Sequence, residues 1–150
     1  MKQILISHRG NLNGPNIENE NKPFYIDIAL EKGYDVEIDI WLIDNKIFLG
    51  HDNADTLIDL EFLIKRRNKL WCHAKNLDAL VFLLENKLHT FSHDNDDYIL
   101  TSNNIIWAFP GKKINENTIC VMPERTSYSD KELESAKGIC SDYIDHFKST

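Results

Sequence analysis

The stretch DVEIDIWLI (residues 35–43) constrains the fold more than any other part of the chain. Side chains of a strand alternate between its two faces. Val36, Ile38 and Ile40 therefore share one face, and Glu37 and Asp39 the other. The apolar face can pack beneath helices. The opposite face sets two carboxylates in mid-strand, where burial without a partner is very costly. Either this is an edge strand with one wet face, or a cation neutralises an interior site. The other strands read as parallel and covered on both sides, which favours a metal site.

The surrounding pattern is strand and helix in alternation. A strand over residues 3–8 leads through an Asn- and Gly-rich loop (10–22) to a helix over Phe24–Lys32, closed by Gly33. DVEIDIWLI and KIFLGHD are joined at Asp44-Asn45, a turn pair suited to a hairpin. TLIDLEFLIKRR has helical spacing, LWCHAK reads as a strand and LDALVFLLEN as a second apolar helix. LHTFSH, YILTS, IIWAF and TICVM then read as strands without room for full helices between them. The short helical stretch DKELESA precedes a last strand, GICSDYI. About eight strands in an alternating α/β order predict a compact TIM-type (β/α) barrel with reduced helices in its second half. Such barrels typically take about 250 residues, so a chain of 150 has to be stripped of some helices.

In such a barrel the C-terminal strand ends meet on one face. His8 ends the first strand and Glu37 and Asp39 lie on the second. His51 ends the hairpin, and His73 and Lys75 share a face of the LWCHAK strand. Each alone has an ordinary explanation: a strand-end or core histidine, or a snorkelling lysine. Their convergence is the functional signal. Ile4 and Ile6 share the face of His8 and should fill the interior below it.

Composition narrows the class. At 42% hydrophobic the chain suits one domain with a single core, spanning residues 1–150. A net charge of −7 argues against nucleic acid as a partner. Cys72, Cys120 and Cys140 lack metal-ligand spacing and read as reduced core residues of a cytoplasmic protein. Neither a signal peptide nor a membrane-spanning run is expected.

The order HRG (8–10), IENE in the following loop, ALEKGYDVEIDI and then GHD (50–52) resembles the glycerophosphodiester phosphodiesterase family, among the phosphatidylinositol-phospholipase-C-like barrels. HAK (73–75) stands where that family has Glu-x-Lys, and GICSDYI is similar to its last strand. The resemblance implies a metal-dependent phosphodiester hydrolase acting on a glycerophosphodiester-like small molecule. His8 and His51 would be the general acid/base pair. Glu37 and Asp39 would ligate Mg²⁺ or Ca²⁺, and Arg9 and Lys75 would contact phosphate. Glu18 would help arrange the site. His73, in place of a third carboxylate, brings Mn²⁺ or another transition ion within range.

Two other readings share this scaffold: a non-catalytic anion-binding barrel, and a lyase that stops at a cyclic phosphodiester. Trp107 with Phe109 reads either as an apolar pocket wall or as core. SHDNDD (92–97) reads as a solvated acidic turn rather than a second metal site. Glu124 and Arg125 stand where they can reach the same mouth, and Asp142 suits either its rim or a turn cap.

Overall fold

A computed structural model describes residues 2–148. β1 (Ile4–His8) runs parallel to β2 (Asp35–Ile43) on one side and to β10 (Gly138–Ser141) on the other. β9 (Thr118–Val121) and β8 (Ile106–Ala108) continue the parallel run beyond β10, and β7 (Tyr98–Leu100) closes it antiparallel. On the far edge of β2 lie β5 (Leu70–Ala74) and then the two-residue β6 (Thr90–Phe91), again parallel. β3 (Lys46–Leu49) and β4 (Thr56–Ile58) extend β2 as an antiparallel meander.

Local chemistry explains the punctuation. α1 (Pro23–Glu31) has proline in its first turn, and the chain leaves it through Gly33 at φ +95°. α2 (Leu60–Arg66) and α3 (Leu77–Glu85) are capped by Asp59 and Asn76, whose side chains accept the N–H groups of Phe62 and Ala79. Ser129 and Glu132 form a reciprocal capping box on α4 (Asp130–Ser135). Asp44 and Asn45 both take left-handed backbone, as a two-residue hairpin turn requires.

The architecture corrects the expected TIM-type barrel. It is a mixed sheet of ten strands curled into a half-barrel, and the strand-helix alternation lapses after α3, returning only with the short α4 before β10. The links from β6 to β9 contain no helix that could carry a crossover, so β7 turns back on β8 as a hairpin instead. TLI, read as the start of a helix, forms β4, because the helix begins only after its cap at Asp59.

Two layers of apolar side chains hold the curl. Val36, Ile38, Ile40 and Cys72 on the outer face pack against Ile26, Leu63, Ala79 and Leu83 of the three helices. On the concave face Ile6, Trp71, Phe91, Trp107 and Ile119 form the inner cluster, with Ile4 packed against it. The interior placement expected for Ile4 and Ile6 is therefore observed. All three cysteines are buried and unpaired. Among the described residues no helix is long and apolar enough to cross a membrane.

The curl closes without a ladder. Among the described residues β6 pairs with β5 alone. The gap to the β7–β8 hairpin is spanned by the Ser102 N–H donating to Thr90 O at 2.9 Å, and the Thr90 N–H to Ser102 Oγ at 2.8 Å. His89, its ring centroid 4.2 Å from that of Trp71 and tilted against it by 50°, adds a 2.8 Å hydrogen bond with Thr101 Oγ1. Burial lowers the His89 pKa to about 4. The unfolded chain then takes up a proton that the folded one refuses. Stability from this site is full above about pH 6.5 and falls as pH drops towards about 4. Urea midpoints of wild type and His89→Gln should differ near neutral pH and converge near pH ~5. An unchanged gap would mean that His89 does not contribute to acid sensitivity.

Candidate active site

Parallel register brings distant residues side by side. His8 lies opposite Glu37 across the β1–β2 pair, and Asp39 lies opposite His73 across β2–β5. Residues of that parity point into the curl, so all four converge at the C-terminal end of the parallel strands. Ligand atoms of Glu37, Asp39 and His73 lie within 4.8 Å of one another, and all three side chains are buried.

β2 also forks here. The Glu37 and Asp39 carbonyls share an edge of the strand: Glu37 O accepts the Arg9 N–H at 2.9 Å and Asp39 O that of Gly50 at 3.2 Å. β1 leaves this edge where β3 arrives. Asn21 fills the fork. Its Oδ1 accepts the Asp39 N–H at 3.0 Å, and its Nδ2 donates to Asp39 Oδ2 at 2.9 Å. Arg9 Nε stands 3.2 Å from the same Oδ2, and Nη1 donates to Glu20 Oε1 at 3.2 Å. Arg9 itself adopts φ +58°, an uncommon conformation for a residue with a side chain. Gly10 follows at φ +94°, where a Cβ would lie 2.5 Å from the Tyr25 ring. The HRG tripeptide is thus a strand end, a clamp and a close approach.

Electrostatics divides the two carboxyls. Burial raises the Glu37 pKa well above its ordinary value; the Asp39 charge adds to this, and Arg9 and Lys75 oppose it only in part. Burial works against the Asp39 charge too, but His73, Arg9 and Asn21 outweigh it and hold that carboxyl below its usual range. His73 Nδ1 is 3.1 Å from Asp39 Oδ1 and 3.9 Å from Glu37 Oε2. Glu37 Oε1 and Asp39 Oδ1 are both buried without a hydrogen-bond partner. Two orphaned carboxylate oxygens beside an imidazole suit a divalent cation.

His8 has its own support. Nδ1 lies 2.7 Å from Asp142 Oδ1, which also accepts Asn11 Nδ2 at 2.9 Å. A carboxylate acceptor puts the ring proton on Nδ1 and leaves Nε2 facing Glu37 Oε1 at 3.8 Å. Burial lowers the His8 pKa, although Asp142 acts in the opposite direction. Glu124 holds Asp142 in turn: its carboxylate accepts the Asp142 N–H at 3.1 Å and Ser141 Oγ at 2.9 Å.

A cavity of about 190 Å³ opens above these groups. His8, Arg9, Glu37 and His73 line its polar side, and Trp107, Phe109, Val121 and Met122 its apolar side. His51 also lines it, from an exposed loop where Nδ1 pairs with Asp52 at 2.8 Å. Lys75 stands half-buried at the end of β5, outside the lining but near enough to act on the Glu37 charge. Glu18 is not brought to the site: it is exposed, and Glu20 makes the contact with Arg9. The loop holds two Glu-Asn pairs, 18–19 and 20–21, and only the second abuts the start of α1. Sequence reasoning also missed Asn11, Asn21 and His93. The His93 ring stacks on His73 at 4.5 Å and lines the cavity.

No family model matches this chain, and comparisons with curated proteins and with solved structures find no match either.

The two loop glutamates separate experimentally. Glu20→Ala removes a partner of Arg9 and the acceptor for the Asn16 N–H, and should cost about 1.5–3 kcal/mol. Glu18→Ala should stay within about 0.5 kcal/mol of wild type. Urea denaturation of both variants measures the difference.

Proposed function

We propose that this protein is a metal-dependent phosphodiester hydrolase acting on a small glycerophosphodiester-like substrate. The reading rests on one observation above the rest: the buried Glu37, Asp39 and His73 cluster, with two unpartnered carboxylate oxygens, opens on the same cavity as His8. These three residues would hold the cation, Mg²⁺ or Ca²⁺ by their carboxylates, with Mn²⁺ favoured by the imidazole. When bound, a divalent ion neutralises charge on the phosphoryl oxygens.

The chain's own groups supply the remainder. His8 exchanges a proton at Nε2 while Asp142 keeps the ring oriented through Nδ1. His51 also lines the cavity and is the partner acid/base in this reading. Arg9 presents a fixed cationic edge to the phosphate, because Glu20 and Asp39 restrain its guanidinium. Burial alone disfavours its charge, yet Glu37 and Asp39 outweigh that and keep it firmly protonated. Lys75 adds a more distant positive charge. Trp107 and Met122 exclude water from one side of the reacting group.

Phosphorus NMR on a set of glycerophosphodiesters tests the reading. Turnover to a phosphomonoester should require a divalent ion and stop with excess EDTA, and elemental analysis should find about one ion per chain. Glu37→Gln should lose the ion while remaining folded. His8→Ala should lower kcat by about 10²–10⁴ with the ion retained. Full activity in metal-free protein would reject the proposal, and a cyclic product would assign the lyase reading instead.

A further inference from the structure

The curl has a second end. Where β1, β2 and β5 begin, away from the acidic cluster, lies a cavity of about 300 Å³. Ile4, Leu70 and Ile105 give it an apolar lining. Arg67, from the turn after α2, and Lys87, from the turn after α3, line it as well. The neighbouring cations are already engaged: Arg66 grips both oxygens of Asp27, and Lys69 lies 3.7 Å from Asp35. Arg67 and Lys87 have no such carboxylate partner among the described residues.

One carboxylate faces this cavity, and it is committed elsewhere. Asp35 accepts the Trp71 indole N–H at 2.9 Å and pairs with Lys69. The remaining lining is neutral or donor-rich: His89, already hydrogen-bonded to Thr101, and the amides of Asn68 and Asn103. Arg67, Lys69 and Lys87 against Asp35 make the surroundings positive, on a chain whose net charge is −7. A negatively charged molecule repels anions in general, so anion binding here needs a local site.

We propose that this cavity binds a small phosphomonoester, its phosphate between Arg67 and Lys87. A guanidinium fork takes two phosphate oxygens while the ammonium acts as a point charge. The side-chain amides of Asn68 and Asn103 serve hydroxyl groups of the ligand, and the apolar residues cover its carbon body. Inorganic phosphate satisfies the cations and leaves the apolar lining bare, so it binds more weakly than the ester. The proposal is independent of chemistry at the other end of the curl.

Titrating ¹⁵N-labelled protein with inorganic phosphate and with glucose 6-phosphate, at constant ionic strength, tests it. Amide signals of Asn68, Lys87, His89 and Asn103 should shift saturably, and the ester should bind more tightly. The double variant Arg67→Gln with Lys87→Gln alters one half-buried and one exposed side chain. Its spectrum should stay folded while affinity falls by about tenfold or more. Glu37→Gln should bind both probes as wild type does. Shifts centred on Arg9 and Arg125, unchanged affinity in the double variant, or no saturable shift would each overturn the assignment.

Discussion

Two carboxyls buried on one strand are the constraint around which this protein is organised. Glu37 and Asp39 point into the concave side of the sheet, where an uncompensated charge is very costly. Compensation is unequal. Asp39 receives Arg9, His73 and Asn21, whereas Glu37 is left with only distant cations. One carboxyl is held as an anion and the other is driven towards its neutral form. A cation at this point would resolve that imbalance with ligands already in place.

The elements near the strand ends serve this arrangement. The fork in β2 exposes backbone groups that a continuous sheet would have paired, and Asn21 occupies them from the loop. The loop is tied down by Glu20, which accepts both the Arg9 guanidinium and the Asn16 N–H. On the other flank the Glu124–Asp142–His8 chain fixes an imidazole tautomer from the last strand. Chemistry of acid/base type needs such support, because a ring free to rotate loses its orientation.

Alternation along β1, β2 and β5 was legible in the residues, since a period of two assigns faces without knowledge of neighbours. Glu37, Asp39, His73 and His8 were found that way, and the Asp44-Asn45 turn through its local chemistry. Closure was not legible. Short apolar runs such as YILTS and IIWAF do not reveal whether they pair parallel or antiparallel, and β7 and β8 form a hairpin. Glu20 was missed in favour of Glu18 because loop residues follow no period. Asn21, too, acts through a left-handed backbone at φ +60° that a lone asparagine hardly announces. His93 lies beyond the last residue of β6 yet keeps the facing of Phe91, so alternation along LHTFSH was a signal that could have found it.

The unladdered closure has a mechanical consequence. Elsewhere the sheet is held by strand pairing, but the Thr90–Ser102 bridge, the His89–Thr101 hydrogen bond and the contact of Phe91 with Trp107 at 4.7 Å carry this join. Side-chain packing and isolated hydrogen bonds therefore do here what a ladder does between the other strands. Trp107 belongs to that join and to the wall of the acidic cavity. The apolar wall of the acidic cavity is thus built on the one side of the curl that no ladder fixes, so packing of Phe91 on Trp107 sets the width of the cavity as well as the join.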